Sequence, residues 1–97
     1  TAMPFANKLF LVIDVGGVSI KCAVMSGSGE IISKESFLTP PTYIEFIRLL
    51  QSRIALNPVD AVQIALPGIY DKEKDCTVFI ANIPYLQGKK IVQDLHT

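Results

Sequence analysis

The order of patterns along this chain predicts an α/β domain, a three-stranded antiparallel meander extended by a parallel strand through a crossover helix. Three observations carry that reading. An almost wholly apolar run from Leu9 passes through Asp14, Gly16 and Gly17 straight into a second strand-like run ending near Met25. A stripe of apolar residues at helical spacing follows Pro40-Pro41. Behind that stripe comes another apolar run, Asp60 to Leu66, and a helix between two such runs returns the chain parallel to its partner strand.

The first strand, Lys8 to Asp14, is apolar on both faces, the pattern of a strand in the middle of a sheet covered on both sides. The second alternates, with Val18, Ile20, Cys22 and Val24 on one face and Ser19, Lys21, Ala23 and Met25 on the other. Lys21 is therefore expected to point away from the apolar side. Gly27-Ser28-Gly29 marks the next turn, Glu30 to Phe37 reads as a third antiparallel strand, and Pro40-Pro41 ends the meander. Thr42 and Glu45 have capping-box spacing and predict a helix from Tyr43 to about Ala55. Its residues Tyr43, Phe46, Ile47, Leu50 and Ile54 form one apolar face for the sheet. Asn57-Pro58 stops the helix, and Asp60 to Leu66 is the parallel strand. Asp71 to Asp75 reads as a solvated charged turn, Cys76 to Ala81 as a short strand, and Gly88 to Leu95 as the opening of a second helix.

Asp14 and the glycine pair are poor strand formers in the middle of a strand pattern, so something local must compensate. Glycines without side chains let backbone N–H groups approach an anion closely, and a nearby carboxylate can hold a divalent cation against the same phosphates. An ordinary hairpin accounts for the same residues, with Gly-Gly supplying positive φ and Asp14 capping the turn. Neither of the sharper nucleotide patterns, G-x-x-x-x-G-K-[ST] or G-x-G-x-x-G, occurs.

Asp14-Val15-Gly16-Gly17-Val18-Ser19-Ile20-Lys21 resembles the first phosphate motif of the ROK family of sugar kinases and repressors, within the actin, hexokinase and Hsp70 superfamily. Ile64 to Asp71, with Pro67-Gly68, looks like that family's strand and Pro-Gly turn. Ala81 to Gly88, with Asn82, resembles its Asn-Leu-Pro-Trp segment before a helix. The three segments come in the family's order and span most of the chain. One departure is Val18, where the family usually has Thr, so a hydroxyl that would contact phosphate or metal is missing.

The resemblance implies a ribonuclease-H-like (actin-like ATPase) lobe and an ATP-dependent sugar kinase using Mg2+. It implies Asp14 near the metal and phosphates, and the backbone of Gly16, Gly17 and Val18, with Ser19 and Lys21 beside it, at the nucleotide. Gly68 and Asn82 are implied on the sugar side. Plain turn chemistry explains Gly68 and Asn82 equally well. Phosphoryl transfer also needs a carboxylate that accepts the sugar hydroxyl's proton. The family's base is the Asp of an Asn-Asp pair, and no such pair occurs in these 97 residues. The chain is thus expected to be the N-terminal lobe of a longer kinase, inactive in isolation and homodimeric at full length. A sugar-sensing regulator without turnover is the alternative that Val18 favours. The residues ahead of Lys8 leave no room for the helix-turn-helix such a regulator would carry, and a domain that kept the fold and lost the site is a third class.

Composition narrows the partners. Nine basic and nine acidic residues cancel, and no basic cluster exceeds Lys89-Lys90, so no nucleic-acid footprint is present. The apolar run at Leu9 to Ile13 is too short for a membrane span or a signal-peptide core, which makes a cytoplasmic location the default. Hydrophobic residues make up 49% of the chain, enough for one well-filled core. Cys22 and Cys76 read as core thiols rather than as a disulfide or zinc pair, and His96 is assigned no role. Thr1-Ala2 reads as an expression scar.

Overall fold

The structure is a computed structural model that describes residues 7–97; the expected scar at Thr1-Ala2 lies outside the described residues. Strands β1 (Leu9–Val15), β2 (Ser19–Ser26) and β3 (Ile31–Leu38) form the meander, helix α1 (Tyr43–Leu56) crosses over, and β4 (Ala61–Ala65) completes a four-stranded sheet. Its order is β3-β2-β1-β4, with β4 parallel to β1 and the other pairs antiparallel. The sheet is the mixed one the sequence predicts.

The register sorts the side chains cleanly. Leu11, Ile13, Val15, Ile20 and Cys22 share one face and are buried there with Phe46, Ile47 and Leu50 of α1. Tyr43 and Ile54 pack on the same core, so the predicted helical stripe is the packing face. Thr42 caps α1 by accepting the Glu45 N–H at 3.3 Å. The Glu45 carboxylate reaches back to accept from the Thr42 hydroxyl at 2.9 Å, not from the backbone N–H of a standard capping box. Arg53 in the last turn lies over Phe37 and pairs with Glu35 of β3, which fastens the helix across the sheet.

Three sequence expectations change. β1 is central, yet its second face, with Phe10 and Val12 half-buried and Asp14 exposed, is not covered by a helix among the described residues, because both helices pack on the opposite face. Val18 lies outside β2 and is 79% exposed rather than on the apolar face. The second helix, α2, covers only Ile91–Leu95: Gly88 at φ 73 is left-handed, the Lys89 N–H is held by the Thr77 hydroxyl, and Lys90 is the non-helical residue that precedes the first turn.

Two elements were not anticipated. Gly68–Asp71 forms a strand, β5, paired antiparallel with β6 (Cys76–Ile80) in a separate two-stranded sheet. Pro84–Leu86 is a single 3₁₀ turn whose Leu86 is buried in the core. The charged segment between β5 and β6 is the tip of that hairpin, closed by Asp71, whose carboxylate accepts the Glu73 and Lys74 N–H groups at 2.9 and 3.1 Å. Buried Thr77 ties the hairpin to the chain beyond it, donating its hydroxyl to the Leu86 carbonyl and accepting from the Lys89 N–H. Among the described residues both cysteines are free, Cys22 buried and Cys76 half-buried, and no helix is long and apolar enough to cross a membrane.

Candidate functional site

Parallel β1 and β4 run side by side, with Asp14 opposite Ala65, so the chain leaving each strand emerges at the same end of the sheet. Ligands of open α/β sheets bind outside the carboxyl ends of parallel strands, which makes this end the place to look. The turn after β1 carries Gly16, Gly17 and Val18, and the turn after β4 carries Pro67-Gly68. The Ala81 N–H donates to the Pro67 carbonyl at 2.9 Å, bringing Asn82 to the same end. A Cβ built on Gly17 would stand 3.0 Å from the Asn82 Cβ. The three segments singled out in the sequence therefore meet at one place.

The glycine turn is a two-residue hairpin loop closed by Gly16, whose N–H donates to the Ser19 carbonyl at 3.0 Å. Neither Gly16 nor Gly17 has positive φ, which removes the reason an ordinary hairpin would need them. Room is the reason instead. A Cβ on Gly16 would lie 2.9 Å from the Ser19 carbonyl oxygen, and one on Gly17 would press on Asn82. The Thr39 hydroxyl donates to the Gly16 carbonyl at 2.7 Å, and the Thr39 N–H to the Val18 carbonyl at 2.9 Å. Sequence reasoning missed Thr39, which lies beyond β3 and carries no motif; only the meander register brings it to the turn.

These bonds decide which backbone donors remain. The Gly16 N–H is already committed to Ser19, so it cannot also serve a phosphate. Gly17 and Val18 are exposed, and neither N–H has a partner among the described residues. Asp14 and Lys21 face each other across β1 and β2, both exposed on the face away from the core and without an ion pair between them. They line one end of a shallow hollow of about 330 Å³ that also includes Lys34 and Ser36 of β3. No group of three or more metal-ligating side chains occurs among the described residues. A single free carboxylate beside unpartnered N–H groups fits Mg2+, which keeps most of its waters and leans on one or two carboxylates plus phosphate oxygens.

Gly68 and Asn82 have different local reasons. A Cβ on Gly68 would fall 1.9 Å from the Phe79 carbonyl oxygen, so the β5–β6 pairing admits no side chain there. Asn82 is exposed and left-handed, at φ 67, a conformation Asn tolerates better than most residues. The chain around it is pinned: Ile83 is buried, the Tyr85 hydroxyl donates to the Pro40 carbonyl at 2.7 Å, and the Gln87 side chain pairs with the backbone of Val78 and Ile80. Burial and a hydrogen bond to Asp75 push Tyr70 up to about 12, while burial raises Tyr85 and Cys22.

Comparison with known proteins bears on the fold. Neither a protein-family model nor a curated protein matches the sequence. Solved structures do match. A ROK family protein from Streptococcus pneumoniae, in complex with sucrose, superposes with a TM-score of 0.82 at 25% identity, over 90% of this chain and 30% of that one. A ROK family glucokinase from Streptomyces griseus, in complex with glucose and AMPPNP, gives 0.78 at 25% identity, over 91% of this chain and 29% of that one. A ROK hexokinase from Thermus thermophilus gives 0.77 over 91% of this chain and 31% of that one; at 24% identity it speaks for the fold alone. The chain shares its fold with ROK family sugar kinases, the actin-like ATPase architecture expected from its segments, and spans about 30% of the length of the first solved protein it matches.

Proposed function

We propose that this chain is the N-terminal lobe of an ATP-dependent ROK-type sugar kinase, which transfers the γ-phosphoryl group of ATP to a hydroxyl of a hexose or hexose derivative. The observation that carries the reading is the convergence of the glycine turn, Pro67-Gly68 and Asn82 at the carboxyl end of β1 and β4. That a neighbouring glucokinase was solved with glucose and AMPPNP supports it.

In this reading Gly17 and Val18 donate their free N–H groups to phosphate oxygens, while Gly16 and Thr39 hold the turn in shape. Asp14 holds a hydrated Mg2+, and Lys21 and Ser19 lie beside it. The metal would neutralise charge on the phosphates. Gly68 and Asn82 form the sugar-side edge of the same end. A lobe of this kind supplies one wall of a cleft, and the general base belongs to the rest of the protein, so the 97 residues alone are inactive. The full protein acts in the cytoplasm and as a homodimer, without nucleic acid or membrane as partner.

The test is ADP release by the full-length gene product with Mg-ATP and a panel of hexoses, N-acetylhexosamines and fructose. Sugar-dependent release establishes the kinase and its substrate class. Val18, which places an apolar side chain at the tip of the phosphate turn, favours a second reading as a sugar-sensing regulator. A silent panel, with sugar binding still measurable by calorimetry, selects that one.

A further inference from the structure

We propose that Thr39 is a positioning residue for the nucleotide: its hydroxyl, by holding the Gly16 carbonyl, aims the Gly17 N–H outward at a phosphate oxygen. The inference rests on the function proposed above and adds to it a side chain that lies outside all three segments singled out in the sequence.

The link runs through a single peptide unit. In a trans peptide the carbonyl and the N–H that follows it point in opposite directions, and no cis peptide bond occurs among the described residues. The Gly16 carbonyl and the Gly17 N–H belong to one such unit. The Thr39 hydroxyl donates to that carbonyl at 2.7 Å, so the Gly17 N–H faces away from Thr39. Among the described residues no other donor to the Gly16 carbonyl is found, and the orientation of the unit therefore depends on this one bond.

Between two glycines that dependence is strong. Turning the peptide plane over changes ψ at Gly16 and φ at Gly17, and a residue without a Cβ accepts either sense. The turned unit would present a carbonyl oxygen to a phosphate in place of a donor. Glycines thus open the turn to an anion and leave the direction of its donor unset, and the hydroxyl beyond β3 sets it.

The hydroxyl is itself on a stiff support. The Thr39 N–H donates to the Val18 carbonyl at 2.9 Å, which fastens its backbone to the far side of the same turn. Pro40 keeps the residue before it extended, and Pro41 fixes a second φ. The Tyr85 hydroxyl donates to the Pro40 carbonyl at 2.7 Å and ties this segment to the rest of the lobe. Thr39 is half-buried, so its side chain is partly shielded from the water that would compete for the Gly16 carbonyl.

The experiment titrates Mg-AMPPNP by calorimetry into the full-length protein as wild type, Thr39→Ser, Thr39→Val and Thr39→Ala. The backbone bond from residue 39 to Val18 is open to all three variants, so the comparison isolates the side chain. Thr39→Ser keeps the hydroxyl without the methyl, and Thr39→Val keeps the shape without the hydroxyl. Thr39→Val and Thr39→Ala should each weaken Mg-AMPPNP roughly fivefold, the effect of one hydrogen bond, while Thr39→Ser stays within about twofold of the wild type. Thr39→Ala serves if Thr39→Val does not fold.

A role in packing alone gives the reverse order, with Thr39→Val close to the wild type and Thr39→Ser weakened. Thr39→Val as tight as the wild type, or Thr39→Ser as weak as Thr39→Val, overturns the role of Thr39 while leaving the kinase reading intact. A wild-type protein that gives no heat with Mg-AMPPNP overturns both.

Discussion

At one end of the meander Gly29 stands at φ 92, with nothing within 4 Å of the place its Cβ would occupy. At the other end Gly16 and Gly17 keep to ordinary φ values and are crowded, one by the Ser19 carbonyl and one by Asn82. The first turn uses glycine for its conformational freedom and needs nothing from the rest of the molecule. The second uses glycine for room, and at Gly17 that room faces a residue from a distant part of the chain. Only the second kind of turn records a tertiary meeting, and that meeting lies where the candidate site is.

The largest effect should come from the most extreme glycine of the second kind. Gly68→Ala places a Cβ 1.9 Å from the Phe79 carbonyl oxygen, which belongs to the backbone of the paired strand and has no flexible end to move aside. Overpacking against backbone should cost about 3 kcal/mol or more, read from the urea midpoint. Hydrogen exchange should show early loss of protection at the Ala81 N–H, the bond that joins the hairpin to the turn after β4. An unchanged midpoint would mean that the hairpin re-registers freely and does not position Asn82.

That pairing was also the least legible part of the sequence. Proline, glycine and aspartate at positions 67, 68 and 71 read as turn chemistry, and of the two strand formers between them, Ile69 and Tyr70, the first points to solvent. The α1 stripe and the β2 alternation were legible because their periodicity is set by burial against a single core. Gly88 misled for the opposite reason: the residues from Ile91 are helical, but a left-handed φ at Gly88 and the non-helical Lys89 and Lys90 delay the start of the helix. The candidate residues could be picked out from their segments, but not where their backbone groups are committed. The Gly16 N–H is spent on Ser19, and Thr39 matters, because of a register that only the folded sheet displays.

Gly16→Ala should rank next. The clash at 2.9 Å is with the carbonyl that closes its own hairpin, so either the closing bond or the Thr39 bond must give, at about 2 kcal/mol by urea unfolding. Gly29→Ala tests the contrasting turn. With open space around it, the substitution pays only for a left-handed alanine, about 1 kcal/mol, and Gly29→Asn should lose less because Asn tolerates that region. If Gly29→Ala were the more damaging of the two, conformation and not room would govern both turns.

The smallest effect on stability belongs to Val18→Thr, and that is what makes it informative. Val18 is 79% exposed at the tip of the crowded turn, and Thr has nearly its shape, so folding stability should stay within about 0.5 kcal/mol. Any change in nucleotide affinity then belongs to the new hydroxyl and not to a rearranged turn. A hydroxyl donating to a charged phosphate contributes about 1.5 kcal/mol or more, roughly a tenfold gain in Mg-AMPPNP affinity for the full-length protein. That gain would mark the natural site as one weakened at a single atom, and would separate the contribution of side chain from that of backbone. An affinity left where it was would assign phosphate binding to the Gly17 and Val18 N–H groups alone, and the room that Gly17 leaves for Asn82 would then be the more important property of this turn.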